Sequence, residues 1–183
     1  MSKNVLVITG SPRRKGNSNA MVQAFIEACE AKGHAVERLD APYLKLTGCM
    51  ACEKCFSKGR PCTLADDDFN ALVAPAIEKA DAVVFAMPVY WYSLPAQIKM
   101  AIDKLFSFVV GGKDIAGKQY ALIACCEEED DEVFSGVRYC LRKTAELIKW
   151  TSFGEVCVPG VLKAGDIEGT DGCARAAALA DAL

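Results

Sequence analysis

The stretch Val5-Leu6-Val7-Ile8-Thr9-Gly10-Ser11-Pro12-Arg13-Arg14-Lys15-Gly16-Asn17-Ser18-Asn19 decides how this chain folds. Four apolar residues in a row read as a buried strand. The helical spacing of Met21, Val22, Phe25, Ile26 and Cys29 then marks one covered helix face, closed by Gly33. A strand that ends in Gly and opens onto a helix N-terminus aims several unpaired backbone N–H groups at one point, which suits an anion. Ser11, Asn17, Ser18 and Asn19 can add side-chain hydrogen bonds, and Arg13, Arg14 and Lys15 supply positive charge. The spacing excludes two common phosphate loops. A Walker loop needs Lys where Asn17 stands, and a dinucleotide fingerprint needs Gly where Pro12 stands.

Downstream, strands and helices keep alternating. Ala35 to Leu39 alternates as an edge strand does, Ala82 to Met87 and Tyr120 to Cys125 are continuous apolar runs, and a last strand lies around Glu155 to Val158. The spacing predicts a helix from Asp66-Asp67-Asp68 through Phe69, Leu72, Val73, Ala76, Ile77 and Ala80, the carboxylates capping its first turn. A further helix opens at Pro95, its apolar face made of Ile98, Ala101, Ile102, Leu105 and Phe106. Another runs through Phe134, Val137, Leu141 and Ile148, and an Ala-rich helix from Cys173 to Leu183 closes the chain. Such alternation implies an α/β fold: a parallel sheet with helices on both faces and right-handed crossovers. Five strands fit the order 2-1-3-4-5, in which the loops after strands one and three flank the point where ligands bind. Those loops are 10–19 and 88–93.

Bulk properties narrow the function. With 183 residues, a net charge of −3 and no long apolar run, the chain reads as a single domain over 1–183, cytoplasmic, with no basic face for nucleic acid and no membrane span. The only histidine, His34, lies in a loop, so the commonest general base is missing and chemistry falls to a cofactor. The acidic run Glu127 to Glu132 reads as a solvated loop and helix start, although over a bound cofactor it would disfavour anionic substrates.

Ten cysteines in a chain without a signal peptide read as thiols or metal ligands. Cys29, Cys125, Cys126, Cys140, Cys157 and Cys173 read as packing residues. Cys49, Cys52, Cys55 and Cys62 instead form C-x2-C-x2-C-x6-C in a Cys-rich loop at 48–63. An iron-sulfur cluster, a zinc ion and a bare thiol loop are all compatible with that spacing.

Gly10-Ser11-Pro12-Arg13 with Gly16-Asn17-Ser18-Asn19 resembles the FMN-phosphate loop of the NADPH-dependent FMN reductase and multimeric flavodoxin-like family. Pro88-Val89-Tyr90-Trp91-Tyr92-Ser93, with Pro95, Ala96, Lys99 and Asp103, resembles the segment that lines the flavin ring there. The four-cysteine pattern is similar to that of the family's iron-sulfur flavoprotein branch, which carries a 4Fe-4S cluster. The resemblance implies a flavodoxin-like three-layer fold and FMN held by Ser11, Arg13, Asn17, Ser18 and Asn19 at its phosphate and by Pro88, Val89, Tyr90, Trp91, Tyr92 and Ser93 at its ring. A third flavin loop is implied at Ala124-Cys125-Cys126-Glu127, where many relatives carry glycine or small hydroxyl residues. It further implies an FMN-dependent oxidoreductase with no catalytic side chain. Its donor is NAD(P)H or a ferredoxin-like protein, its acceptor quinone-like or a protein, and its assembly a homodimer or homotetramer. A non-enzymatic flavin- or metal-binding redox module is the alternative. No nucleophilic cysteine sits in the phosphate loop, which sets phosphatases aside.

Overall fold

The alternate faces of the three central strands are both apolar, and this forces helices onto both sides of the sheet. In a computed structural model, which describes residues 1–64 and 66–183, the strands are β1 (Asn4–Thr9), β2 (Ala35–Asp40), β3 (Ala82–Pro88), β4 (Gln119–Cys125) and β5 (Thr151–Val158). All pair in parallel, in the order β2-β1-β3-β4-β5. Val5, Val7, Val84, Ala86, Ala121 and Ile123 face one layer, made by α1 (Asn17–Ala31) and α6 (Gly172–Ala178). Leu6, Ile8, Val83, Phe85, Met87 and Leu122 face the other, made by α2 (Ala74–Lys79), α3 (Ala96–Lys104), α4 (Phe106–Val110) and α5 (Ser135–Ile148). The flavodoxin-like order and the three layers expected from the sequence are thus present. Among the described residues no helix is long and apolar enough to cross a membrane.

Three local expectations change. The helix expected from Asp66 starts as a π-helical turn, Phe69–Val73, before α2. Pro75, in the first turn of α2, has no N–H to give to the turn before it, and the wider π-turn accommodates the missing bond. Pro95 stands one residue before α3 as its N-cap. Phe106 is 42% exposed instead of packed, because α3 ends at Lys104 and the new helix turns that side chain outward.

Asp67 also does more than cap. Its Oδ1 accepts the Phe69 N–H at 3.2 Å, while Oδ2 accepts the Thr47 N–H at 3.0 Å and the Thr47 hydroxyl at 2.8 Å. The ammonium of Lys104 forms an ion pair with the same carboxylate, donates to Thr47 Oγ1 at 3.0 Å and lies 5.7 Å from the Phe69 ring centre. Both charged side chains are 2% exposed. This pair fastens the end of α3 to the start of the Cys-rich loop.

Burial, the largest single influence, pushes the Asp67 carboxyl up, but hydrogen bonds from Lys104 and Thr47 together hold it below the usual carboxylate range. The stability gained from a depressed folded pKa is present above the unfolded carboxyl's pKa and lost as pH falls through the folded one. Lys104→Met, which strands a buried carboxylate, is therefore expected to cost about 3–5 kcal/mol in urea unfolding at pH 7. Lys104→Met with Asp67→Asn should recover part of that loss and flatten the acid limb of the stability profile; an unchanged midpoint in the single variant would contradict this role.

Candidate functional site

β1 and β3 are neighbours, and their following connections leave on opposite faces of the sheet, so a crevice opens at their carboxyl ends. The crevice has a volume of about 450 Å³. Ser11, Arg13, Gly16, Asn17 and Ser18 form one end, Pro88 to Tyr92 one side, and Cys125 to Glu128 with Val133, Val161, Leu162 and Ala164 the rest. Both motifs singled out in the sequence therefore meet in one cavity.

At the loop end, Gly16 is the N-cap of α1, and the N–H groups of Asn17, Ser18 and Asn19 have no acceptor within the helix. Close folding explains the glycine: a Cβ there would stand 3.0 Å from Arg13 O and 3.3 Å from Ser11 Oγ. Ser11 Oγ accepts the Arg13 N–H at 3.2 Å and keeps its own proton to donate. Two of the expected side-chain ligands are occupied elsewhere. Asn17 Nδ2 donates to Lys163 O at 2.9 Å, and its Oδ1 accepts the Gly165 and Ile167 N–H groups at 3.1 and 3.4 Å. Asn19 lies outside the crevice lining; its Nδ2 donates to Arg13 O at 2.8 Å and its Oδ1 accepts from Arg38 at 3.0 Å. Both residues are buried and these bonds build the loop, so each amide has one Nδ2–H left to give beside its backbone N–H group.

On the side made by 88–92, Tyr90 and Ser93 exchange two backbone hydrogen bonds of 3.0 Å, which fold Trp91 and Tyr92 into the tip of a tight turn. Those two residues take left-handed conformations, φ 46° and 60°, uncommon for non-glycine residues but required at both central positions of a two-residue hairpin turn of this kind. Ser93 shapes the turn but is not part of the lining. Val89 N–H donates to Cys125 O at 2.9 Å and Val161 N–H to Cys126 O at 2.8 Å, so the loops after β3, β4 and β5 are tied together.

Cys125 and Cys126 are buried as expected, yet both also line the crevice. Burial, aided by the neighbouring Cys126, pushes the Cys125 thiol up to about 12 against a smaller opposing pull from the Ser18 N–H and hydroxyl. It is a neutral thiol at pH 7, not a nucleophile. Val161, Leu162 and Ala164 were not singled out in the sequence. The turn signal Pro159-Gly160 after β5 marks a loop there, and Gly160 takes φ 72°.

The four clustered cysteines lie elsewhere, in the loop between β2 and α2. Cys49, Cys52, Cys55 and Cys62 line a second cavity, of about 410 Å³, with Thr47, Asp67 and Phe106. Ala51, Glu53 and Phe56 between them adopt φ of 48°, 55° and 59°, so the backbone reverses repeatedly around this space. The Phe56 ring anchors the loop, 6.1 Å from that of Phe108. Burial raises the Cys55 thiol, and the charges of Cys52, Cys49 and Cys62 raise it further. Among the described residues, no three His, Cys, Asp or Glu side chains stand together at metal-holding spacing.

Comparison with known proteins agrees with this geometry. An iron-sulfur flavoprotein of Archaeoglobus fulgidus is 36% identical over 101 residues, 55% of this chain and 44% of that protein. One of Methanocaldococcus jannaschii is 31% identical over 100 residues, 55% of this chain and 50% of that protein. The chain thus spans about half the length of the curated relatives it matches. In fold it is similar to the NAD(P)H:quinone oxidoreductase from Methanothermobacter marburgensis, with a TM-score of 0.80 at 19% identity over 99% of this chain and 96% of that one. It is also similar to an azoreductase from Bacillus anthracis, with a TM-score of 0.75 at 21% identity over the whole of both chains. The family model for NADPH-dependent FMN reductase matches residues 3–131, a span that holds β1 to β4 and both the 10–19 loop and the aromatic turn of the crevice, and the chain belongs to that family.

Proposed function

We propose that this protein is an FMN-dependent oxidoreductase that holds FMN in the crevice between 10–19 and 88–92. The observation that carries this reading is the meeting of a helix N-terminus, whose first N–H groups have no acceptor within the helix, and an aromatic turn in one cavity at the switch point of the sheet. The donor set fits the group. Ser11 Oγ, the Arg13 guanidinium, Ser18 and the first-turn N–H groups of α1 would hold a phosphate dianion, while Pro88, Val89, Tyr90, Trp91 and Tyr92 would hold the ring. FMN supplies reversible two-electron chemistry to a site whose lining has no imidazole and whose Cys125 thiol is neutral. The family description supports an NADPH-type donor, and the name of the quinone oxidoreductase that shares the fold favours a quinone-like acceptor.

The four cysteines favour an addition to this reading, that the 48–63 loop carries a 4Fe-4S cluster. All four thiols line one cavity, soft thiolate ligands suit iron-sulfur chemistry, and the two relatives above are iron-sulfur flavoproteins by name. As placed, the thiols share the cavity without converging.

Ser18 is 2% exposed on the first turn of α1, and Ser18→Asp sets a carboxylate against the phosphate. FMN affinity, read by fluorescence titration of protein with an unchanged melting profile, should fall by about 2–4 kcal/mol. Undiminished affinity would remove this loop from the reading. For the cysteine loop, anaerobically purified protein should contain iron and inorganic sulfide near four of each per chain. Cys52→Ser and Cys55→Ser should each lose both while keeping FMN; zinc, or no metal, in the parent would refute the cluster and leave the flavin site standing.

A further inference from the structure

The acidic run Glu127 to Glu132 divides in two. Its second half is structural: Asp130 Oδ1 caps the Glu132 N–H at 2.9 Å, and Asp131 accepts from Arg138 at 2.6 and 3.0 Å while Arg138 also donates to Glu155 at 2.9 Å. Its first half lines the crevice. Glu127 and Glu128 stand at the end of the crevice that the aromatic turn forms, where the Glu128 carboxylate pushes the Tyr92 phenol above its ordinary range. Their backbone is fixed, since Glu128 O accepts the Gly160 N–H at 2.9 Å and the Cys126 thiol at 3.2 Å. Arg13 is the only cation among the described residues of the lining, and it belongs to the loop end. A phosphate bound there uses that charge. The ring end is left with two carboxylates among aromatic and aliphatic walls, Tyr90, Trp91, Tyr92, Val161 and Leu162.

We propose that Glu127 and Glu128 are specificity-determining residues, which make the mouth of the crevice select a neutral or cationic electron acceptor and turn away anionic ones. This rests on the proposed flavin site. A charge-lined mouth with low-dielectric walls focuses its field on arriving ions, so selection acts on the rate of encounter and weakens with salt. An uncharged planar quinone passes, a cationic acceptor is drawn in, and a sulfonated or phosphorylated one is slowed without being excluded, as is the anionic nicotinamide donor, which must therefore draw its binding from contacts beyond the two carboxylates.

The test uses the FMN-loaded protein, reduced anaerobically with one equivalent of dithionite and mixed in a stopped-flow cell with one-electron acceptors of opposite charge. Hexaammineruthenium(III) is the cation and ferricyanide the anion, two equivalents of either taking the two electrons held by one flavin. The ratio of the cation rate to the anion rate should fall by about tenfold in the Glu127→Gln, Glu128→Gln double variant, and the salt dependence of both rates should flatten. Glu129→Gln, outside the lining, should leave the ratio as it is. An unchanged ratio in a double variant that retains its flavin absorbance overturns the proposal. Wild-type protein that takes up no flavin overturns the underlying FMN reading instead, so the two failures are told apart by the spectrum.

Discussion

The hydrogen bond from Gly10 N–H to Ala86 O, 2.8 Å long, is the last rung between β1 and β3, and the crevice depends on it. It brings the two carboxyl ends level, so that one strand turns away into the 10–19 loop and the other into the aromatic turn. Only a residue without a side chain fits there comfortably. A Cβ on Gly10 would lie 3.2 Å from Met87 Cβ and 3.3 Å from both Ile98 Cγ2 and Pro95 Cγ, tighter than packed carbons prefer. Those three residues belong to β3, to the start of α3 and to the N-cap before it. The glycine thus sets how closely α3 and its preceding loop approach the sheet, and with that the width of the crevice.

Within the crevice, side chains divide between building the site and facing into it. Asn17 and Asn19 look like anion ligands by residue type, but a buried amide must satisfy both its donor and its acceptor. Asn17 does so across the sheet edge with 163–167, and Asn19 with Arg13 and Arg38. The loop is held in shape before any ligand arrives. Asn17 and Asn19 thus serve the loop's own shape first, and the groups facing the crevice that carry little of that structural duty are the backbone N–H groups of the first turn, the Ser11 and Ser18 hydroxyls and the Arg13 guanidinium. Electrostatics separates the two ends in the same way, with positive potential from the helix N-terminus and Arg13 at one and carboxylates at the other.

Much of this was legible in the chain because it is local. The apolar runs at Val5 to Ile8 and Ala82 to Met87 are as continuous as two-sided burial requires, and the alternation at Ala35 to Leu39 matches the half-covered edge it forms. Once the strand order is fixed, the loops at 10–19 and 88–93 must meet. What was not legible depends on partners far away. Nothing in Asp66-Asp67-Asp68 says that the middle carboxylate will find Lys104, which follows an ordinary apolar pattern on α3. The helix pattern also continues through Phe106, and only the break after Lys104 turns that ring outward. Val161, Leu162 and Ala164 carry no chemical signature; they line the crevice because β5 sits beside β4 and its loop folds back through the Val161 to Cys126 bond.

One rigid element joins the two cavities. α3 begins at Ala96, just beyond the turn that forms one wall of the crevice, and ends at Lys104, whose ammonium is locked to Asp67 and Thr47 in the wall of the cysteine cavity. Nine helical residues span about 13 Å at the usual rise. Its buried side, Ile98, Ala101 and Ile102, is packed in the core, so the helix has little freedom to slide or tilt. The buried ion pair contributes weakly to net stability by its own charge attraction, because desolvation offsets most of the gain. Its stronger effect is geometric: a buried ammonium and carboxylate, each needing the other, permit only one register between α3 and the loop that starts at Thr47. The two flanks of the cysteine loop, Thr47 and Asp67, are therefore held relative to the crevice by the same helix that follows its aromatic turn.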